Sequence, residues 1–280
     1  MAIGGAEDRE GESNILKEFV RLAKGEKARI VVMTTATEKP EEAGKVYIKA
    51  FKRLGAKEVK VIDVSTREDA MSEKHIETVK RATGLFFTGG DQLHITSLMG
   101  GTKLQKIIHE RYEKDLIIGG TSAGAAMMSN SMVLHGASDE NPRVGAIEMG
   151  AGLDLIVGCI IDTHFSQRGR HGRLLTAVGH YPQDIGFGID ENTAMIVDKN
   201  GFKVIGEGSV TVIDSKDMTF TNTPYIKKGK SLAMSDVKIH VLPEGYKFDF
   251  KERCVVIPKR EMPKVKRASA NENTTLKKKK

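Results

Sequence analysis

Cysteine is scarce: the 280-residue chain has only Cys159 and Cys254, each inside an apolar run, LIVGCIID and ERCVVIP. Thiols so placed exclude a disulfide scaffold and a cysteine-based metal cluster, and read as small buried hydrophobes in a reducing compartment. No apolar stretch reaches the roughly 18 residues of a membrane-spanning helix, and the opening MAIGGAEDRE lacks the apolar core of an export signal. A soluble cytoplasmic protein without membrane contact is therefore expected. No Pro/Gly/Ser-rich linker and no internal repeat divides the chain, and its 39% apolar content suffices for one large core.

Net charge is also missing once the C-terminus is set aside. The formal +7 lies in residues 259–280, where nine lysines and arginines face only Glu261 and Glu272. The first 258 residues are neutral overall, which argues against nucleic acid as the main partner. The tail, 261–280, has no periodic apolar face to repay its ordering entropy. It is expected to be a disordered, solubilising extension of a single domain over 1–260, its basic charge leaving contact with polyanions open.

What is present alternates. ARIVVMTTA (28–36), VKVIDV (59–64), GLFFTGG (84–90) and DLIIGGT (115–121) read as strands. Between them, 41–56, 72–82 and 101–114 carry helical spacing; in the first, Val46, Phe51 and Leu54 mark the apolar side and Gly55 the cap. Repeated strand–helix–strand units predict an α/β fold, a mainly parallel sheet flanked by helices. The second half changes to short strands at 210–220, 237–245 and 254–259. A hairpin is expected over 192–208 around Asn200-Gly201, so an antiparallel C-terminal extension follows. At the start, only three residues precede Gly4 in AIGG, so the first strand is either very short or incomplete in this sequence.

Gly120-Thr121-Ser122-Ala123-Gly124 fits G-x-S-x-G between the strand DLIIG and the helix-forming AGAAMMS. Such an elbow lifts the serine hydroxyl off the sheet, and the Ala123 N–H is placed to hold an oxyanion. A second glycine turn, Thr88 to Gln92, offers another N–H at Gly90 and polar contacts at Gln92. The G-x-G-x-x-G of a dinucleotide loop is missing, as is the lysine of a P-loop, so no nucleotide cofactor is expected.

Serine needs a base. His164, directly after LIVGCIID, sits where a strand end presents catalytic groups. His171 and His180 read as surface residues and His109 as solvent-facing; His94 and His135 remain competitors. Asp190 and Glu191 in GFGIDENTA offer an acid to orient the ring, and alternation allows only one to face it. Arg168, Arg170 and Arg173 crowd the same loop, which points to substrate carboxylates or phosphates.

IGGAED, FTGGDQ, GGTSAGAAMMS, IDTHFSQRGRHGRL and GIDENTA together resemble the cyanophycinases of the peptidase E-like serine peptidase family, across residues 1–258. The resemblance implies a flavodoxin-like α/β fold, a triad of Ser122, His164 and Glu191, substrate contacts at Gln92, Asp162, Arg168, Arg170 and Arg173, and a homodimer. It also implies no metal or organic cofactor. The implied substrate is cyanophycin, an acidic peptide polymer bearing arginine, cut by an exopeptidase into β-aspartyl-arginine dipeptides; Asp162 would face its guanidinium or amino group. One position departs: Thr163 stands where the family pattern has glutamine before the histidine, and its shorter side chain does not make the same reach. Rival readings are a dipeptidase E-like or other β-aspartyl peptidase, and a non-catalytic polyanion-binding protein.

Overall fold

The computed structural model describes residues 1–136, 138 and 141–258; the expected tail, 261–280, lies outside the described residues. The chain opens as β1 (Ala2–Ile3), α1 (Asn14–Leu22), β2 (Arg29–Met33), α2 (Pro40–Arg53), β3 (Glu58–Ile62), α3 (Glu73–Arg81), β4 (Gly84–Phe87), α4 (Gln92–Met99), α5 (Lys103–Tyr112) and β5 (Ile117–Thr121). The strands lie parallel in the order β3-β2-β4-β5-β1. β1 has two residues, pairing Ala2 with Gly120 and Ile3 with Thr121.

Both faces of this sheet are covered, which is why its strands read as nearly unbroken apolar runs. Ile30, Val32 and Phe86 face one side with α1 and α2; Val31, Met33, Leu85 and Phe87 face the other with α3 and α5. Phe19, Tyr47, Phe51 and Phe86 interlock beneath α1 and α2. Pro40 and two glutamates open α2, Lys52 and Arg53 close it, and Gly55 at φ +88° supplies the left-handed turn beyond. Its buried face differs from the expected one. Gly44, Tyr47, Ala50 and Phe51 point inward while Val46 is 42% exposed, because Gly44 rests on Val61, where a Cβ would lie 3.1 Å from Val61 Cγ2.

The chain continues through α6 (Ala123–Ala126), β6 (Ser131–Gly136), β7 (Ile147–Ala151), β8 (Cys159–Thr163), α7 (His171–His180), β9 (Ile185–Ile189), β10 (Thr193–Val197), β11 (Gly201–Gly206), β12 (Ser209–Asp214), β13 (Phe220–Thr221), β14 (Met234–Ser235), β15 (Lys238–Pro243), β16 (Lys247–Asp249) and β17 (Cys254–Val256). β10, β11, β16 and β17 extend the main sheet antiparallel beyond β1, and β10–β11 is the hairpin expected over 192–208. The fold is thus a mainly parallel, flavodoxin-like α/β sheet with an antiparallel extension.

The remaining strands do something the sequence did not announce: β15-β12-β9-β8 form a second sheet, parallel only between β8 and β9. Aromatic rings join the two sheets, with Phe187 of β9 5.2 Å from Phe202 of β11, and Phe248 and Phe250 beside them. α7 covers the outer face of the second sheet through Leu174, Ala177 and Val178.

The cysteines also divide. Cys159 is buried, and burial pushes its thiol pKa up. Cys254, expected inside, is exposed: Val255 is the residue of edge strand β17 that packs on the core, so its neighbours point outward. Among the described residues, no helix is long and apolar enough to cross a membrane.

Candidate active site

Ser122 joins β5 to α6 at φ 53° and ψ −115°, a conformation strained for any residue with a Cβ. The backbone around it holds that strain. Its N–H donates to the Ile3 carbonyl at 3.0 Å, and its carbonyl accepts from the N–H groups of Ala125 and Ala126. The flanking glycines are sterically required: a Cβ on Gly120 would lie 2.1 Å from the Gly124 carbonyl oxygen, and one on Gly124 2.5 Å from that of Phe87. Gly90 (φ +145°) is equally confined, by the Ala36 carbonyl.

His164 follows β8 directly. Its Nε2 lies 2.9 Å from Ser122 Oγ and its Nδ1 2.6 Å from Glu191 Oε1. The ring is 12% exposed. Burial pushes its pKa below the ordinary histidine value; the Glu191 hydrogen bond opposes this, and the positive charges of Arg168 and Arg170 reinforce it. A ring neutral at pH 7 is one that can accept a proton. Asp190 does something else: it is buried, and accepts from the Ser166 N–H (3.0 Å), the Ser209 N–H (3.0 Å) and the Ser209 hydroxyl (2.9 Å). Of the two acids, Glu191 is the one that meets the His164 ring, and Asp190 is occupied by the backbone and Ser209.

Two contributors were missed. Nothing in the sequence marks Gly4 and Gly5 as neighbours of the histidine, yet the His164 N–H donates to the Gly4 carbonyl at 2.8 Å, and a Cβ on Gly5 (φ +102°) would lie 2.2 Å from His164 Cε1. The imidazole rests on a residue that must lack a side chain. Gln167, unremarked in the arginine loop, accepts the Glu191 N–H on Oε1 at 3.0 Å. Of the other histidines, His109 is not solvent-facing as expected; its Nε2 meets the Leu153 carbonyl at 2.7 Å because α5 packs that side inward. His94 is exposed on α4, and His135, on β6, lines the far wall of the cavity described next.

A cavity of about 410 Å³ opens over Ser122 and gathers Gly90, Ala123, Gln92, Asp162, Thr163, Arg168, Arg170 and Arg173. Asp162 had been expected to face a cationic substrate group. Instead its carboxylate, 2% exposed, is taken by Arg173, whose Nε lies at 2.8 Å and whose Nη2 also bonds it, and by Arg170 at 3.3 Å. A buried anion needs such partners. With Arg168 exposed beside them, the cluster keeps a positive excess. Burial lowers the Arg170 pKa to about 10, and its buried Nε has no hydrogen-bond partner. Gln92 gives both amide hydrogens to β6, at the carbonyls of Val133 (2.8 Å) and Leu134 (3.0 Å), leaving Oε1 as an acceptor. Among the described residues, no group of three or more His, Cys, Asp or Glu could hold a metal ion.

A serine raised on a strand–helix elbow, hydrogen-bonded to a histidine that a carboxylate holds from behind, defines a serine-type peptidase on an α/β sheet. The chain belongs to peptidase family S51, whose family model matches residues 1–205. It is 36% identical over 258 residues to a cyanophycinase of Trichormus variabilis, covering 91% of this chain and 87% of that protein. It is 37% identical over 253 residues to one of Geminocystis herdmanii, covering 90% and 93%. A solved peptidase from an acI-B1 actinobacterium shares the fold, with a TM-score of 0.68, 21% identity and coverage of 89% of this chain and 95% of that one.

Proposed function

We propose that the chain is an exopeptidase that hydrolyses cyanophycin to β-aspartyl-arginine dipeptides through an acyl-enzyme on Ser122. The observation that carries this reading is the continuous relay from Ser122 Oγ to His164 Nε2 at 2.9 Å and from His164 Nδ1 to Glu191 at 2.6 Å. His164 takes the hydroxyl proton as Ser122 Oγ attacks the scissile carbonyl. The N–H groups of Gly90 and Ala123 receive the developing oxyanion. His164 then hands its proton to the departing amine and draws one from water, which cleaves the ester; Glu191 keeps Nδ1 protonated throughout.

The cavity chemistry narrows the substrate. The positive excess of Arg168, Arg170 and Arg173 over Asp162 favours carboxylates, and the Gln92 Oε1 accepts an N–H from the bound chain. Asp162 acts by fixing Arg170 and Arg173. The relatives named as cyanophycinases align along nine-tenths of the chain. We further take the protein to act in the cytoplasm as a homodimer, the exposed free Cys254 suiting a reducing compartment.

Incubation with purified cyanophycin, followed by mass analysis of the products, tests this. β-Aspartyl-arginine is expected from the wild type and none from Ser122→Ala. Because Thr163 occupies the glutamine position of the family pattern, N-terminal aspartyl dipeptides are run in parallel; faster cleavage of these than of cyanophycin makes the protein a dipeptidase instead.

A further inference from the structure

Ser122 borders two cavities. Besides the arginine-lined cavity, with which it shares only Ser122, a cavity of about 240 Å³ is lined by Glu7, Tyr47, Thr88, Thr121, Gly5 and Ser122 itself, with Arg9 among its wall residues. Glu7 is 3% exposed. Its Oε1 accepts from the Tyr47 hydroxyl and its Oε2 from the Thr121 hydroxyl, each at 2.5 Å. A carboxylate has about four acceptor sites, so two remain.

No lysine, arginine or histidine among the described residues pairs directly with Glu7; Arg9, the cation lining the cavity, is exposed, sits over the Tyr47 ring at 5.8 Å and interacts with the Tyr47 hydroxyl rather than with the carboxyl. A buried carboxylate held only by neutral hydroxyls is costly unless something compensates its charge. Nearby, Thr88 is 2% exposed and its buried hydroxyl has no hydrogen-bond partner. A buried carboxyl with unfilled acceptor sites and an idle buried hydroxyl thus line one small cavity that reaches Ser122.

We propose that this cavity is a second substrate subsite, in which Glu7 and the Thr88 hydroxyl hold a guanidinium or ammonium group of the substrate. The inference rests on the serine-peptidase reading of Ser122 and deepens it. Subsites of opposite sign flank the scissile bond: Arg168, Arg170 and Arg173 face the carboxylates of one unit, and Glu7 the cation of the unit across that bond. Such a cleft selects a zwitterionic repeat over a purely acidic chain. The Thr121 contact gives Glu7 a bland alternative, that of bracing the elbow alone.

The test uses full-length protein and two synthetic aspartate oligomers, identical except that the side chains carry arginine or its neutral isostere citrulline. Wild type is expected to prefer the arginine oligomer in kcat/KM by about 10- to 100-fold, the value of a charge-assisted bond in a desolvated site. In Glu7→Gln that preference is expected to collapse to about threefold or less, leaving less than one charged hydrogen bond's worth of selectivity. Equal losses on both oligomers, with the preference intact, mean that Glu7 only braces the elbow and overturn the subsite. If Glu7→Gln does not fold, Thr88→Val reads the same ratio: a several-fold drop supports the subsite and an unchanged ratio overturns it. Ser122→Ala and labelling of Ser122 by a neutral fluorophosphonate run alongside. Turnover that survives Ser122→Ala, with no labelling, refutes the peptidase reading itself, whereas labelling with an unaltered ratio refutes only the Glu7 subsite.

Discussion

Exchanging Glu191 for glutamine removes a charge, keeps the shape, and turns one carboxylate oxygen into an NH₂ group. At 2.6 Å from His164 Nδ1, that group favours the tautomer with its proton on Nε2, which cannot accept the Ser122 proton. A loss in kcat/KM of roughly 10⁴-fold, about 5 kcal/mol of transition-state stabilisation, is expected, the size found when the orienting acid of a chymotrypsin-type triad is amidated. Stability should hardly move, within about 1 kcal/mol, because the Glu191 side chain is 36% exposed. The neighbouring Asp190→Asn should do the reverse. It sets an NH₂ against the backbone N–H of either Ser166 or Ser209, in a side chain 6% exposed, and should cost about 2–4 kcal/mol of folding free energy. Its folded fraction should keep most of its activity. Urea unfolding and steady-state hydrolysis, run on both variants, give the two numbers. Glu191→Gln within tenfold of wild type, or equal destabilisation by both variants, would refute the division of labour between these acids.

Gly5→Ala would drive a methyl to 2.2 Å from His164 Cε1; displacing the ring by about 1 Å should lower kcat on the order of 10²-fold, with circular dichroism unchanged, and full activity would show that the ring has room to yield. Activity should rise with pH as His164 loses its proton, with the midpoint of kcat/KM below about 6.5 because burial favours the neutral ring. Arg168→Ala removes a positive charge that lowers this pKa, so the midpoint should move up, and a fixed midpoint would count against that coupling. Thr163→Gln restores the family glutamine in the cavity wall and should lower KM for cyanophycin about 2- to 10-fold with a smaller change in kcat; a higher KM would mean that the threonine pocket is already matched to its substrate.

The parallel half was legible because its signals are local: apolar runs bounded by glycine, and helices with charge-matched ends such as α2. The positions of Ser122 at an elbow and His164 after a strand were legible for a related reason, since each is written in a few consecutive residues. What could not be read is long-range pairing. The residues of β9 and β12 alternate like those of β10 and β11, yet they pair in a different sheet, with Phe187 packed against Phe202 across the two. The resemblance put Asp162 among the substrate contacts, and no motif showed that its partners 8 and 11 positions on, Arg170 just before α7 and Arg173 within it, would turn back onto its carboxylate. Glu191 came from the resemblance alone, because the contact that occupies Asp190 comes from Ser209, far along the chain. Gly5 showed its steric reason only when the imidazole was in place.

The nucleophile and its base stand on different foundations. Ser122 follows β5 of the main sheet, and His164 follows β8 of the second; the backbone of Gly4 and Gly5 bridges them, with the Asn192 N–H donating to the Gly5 carbonyl at 2.9 Å. Proton relay therefore works as a gauge of how two slabs of structure are seated on one another. A slip of about 1 Å along that seam parts hydroxyl from imidazole while every strand remains paired, so in rising denaturant the enzyme should fall silent before it melts.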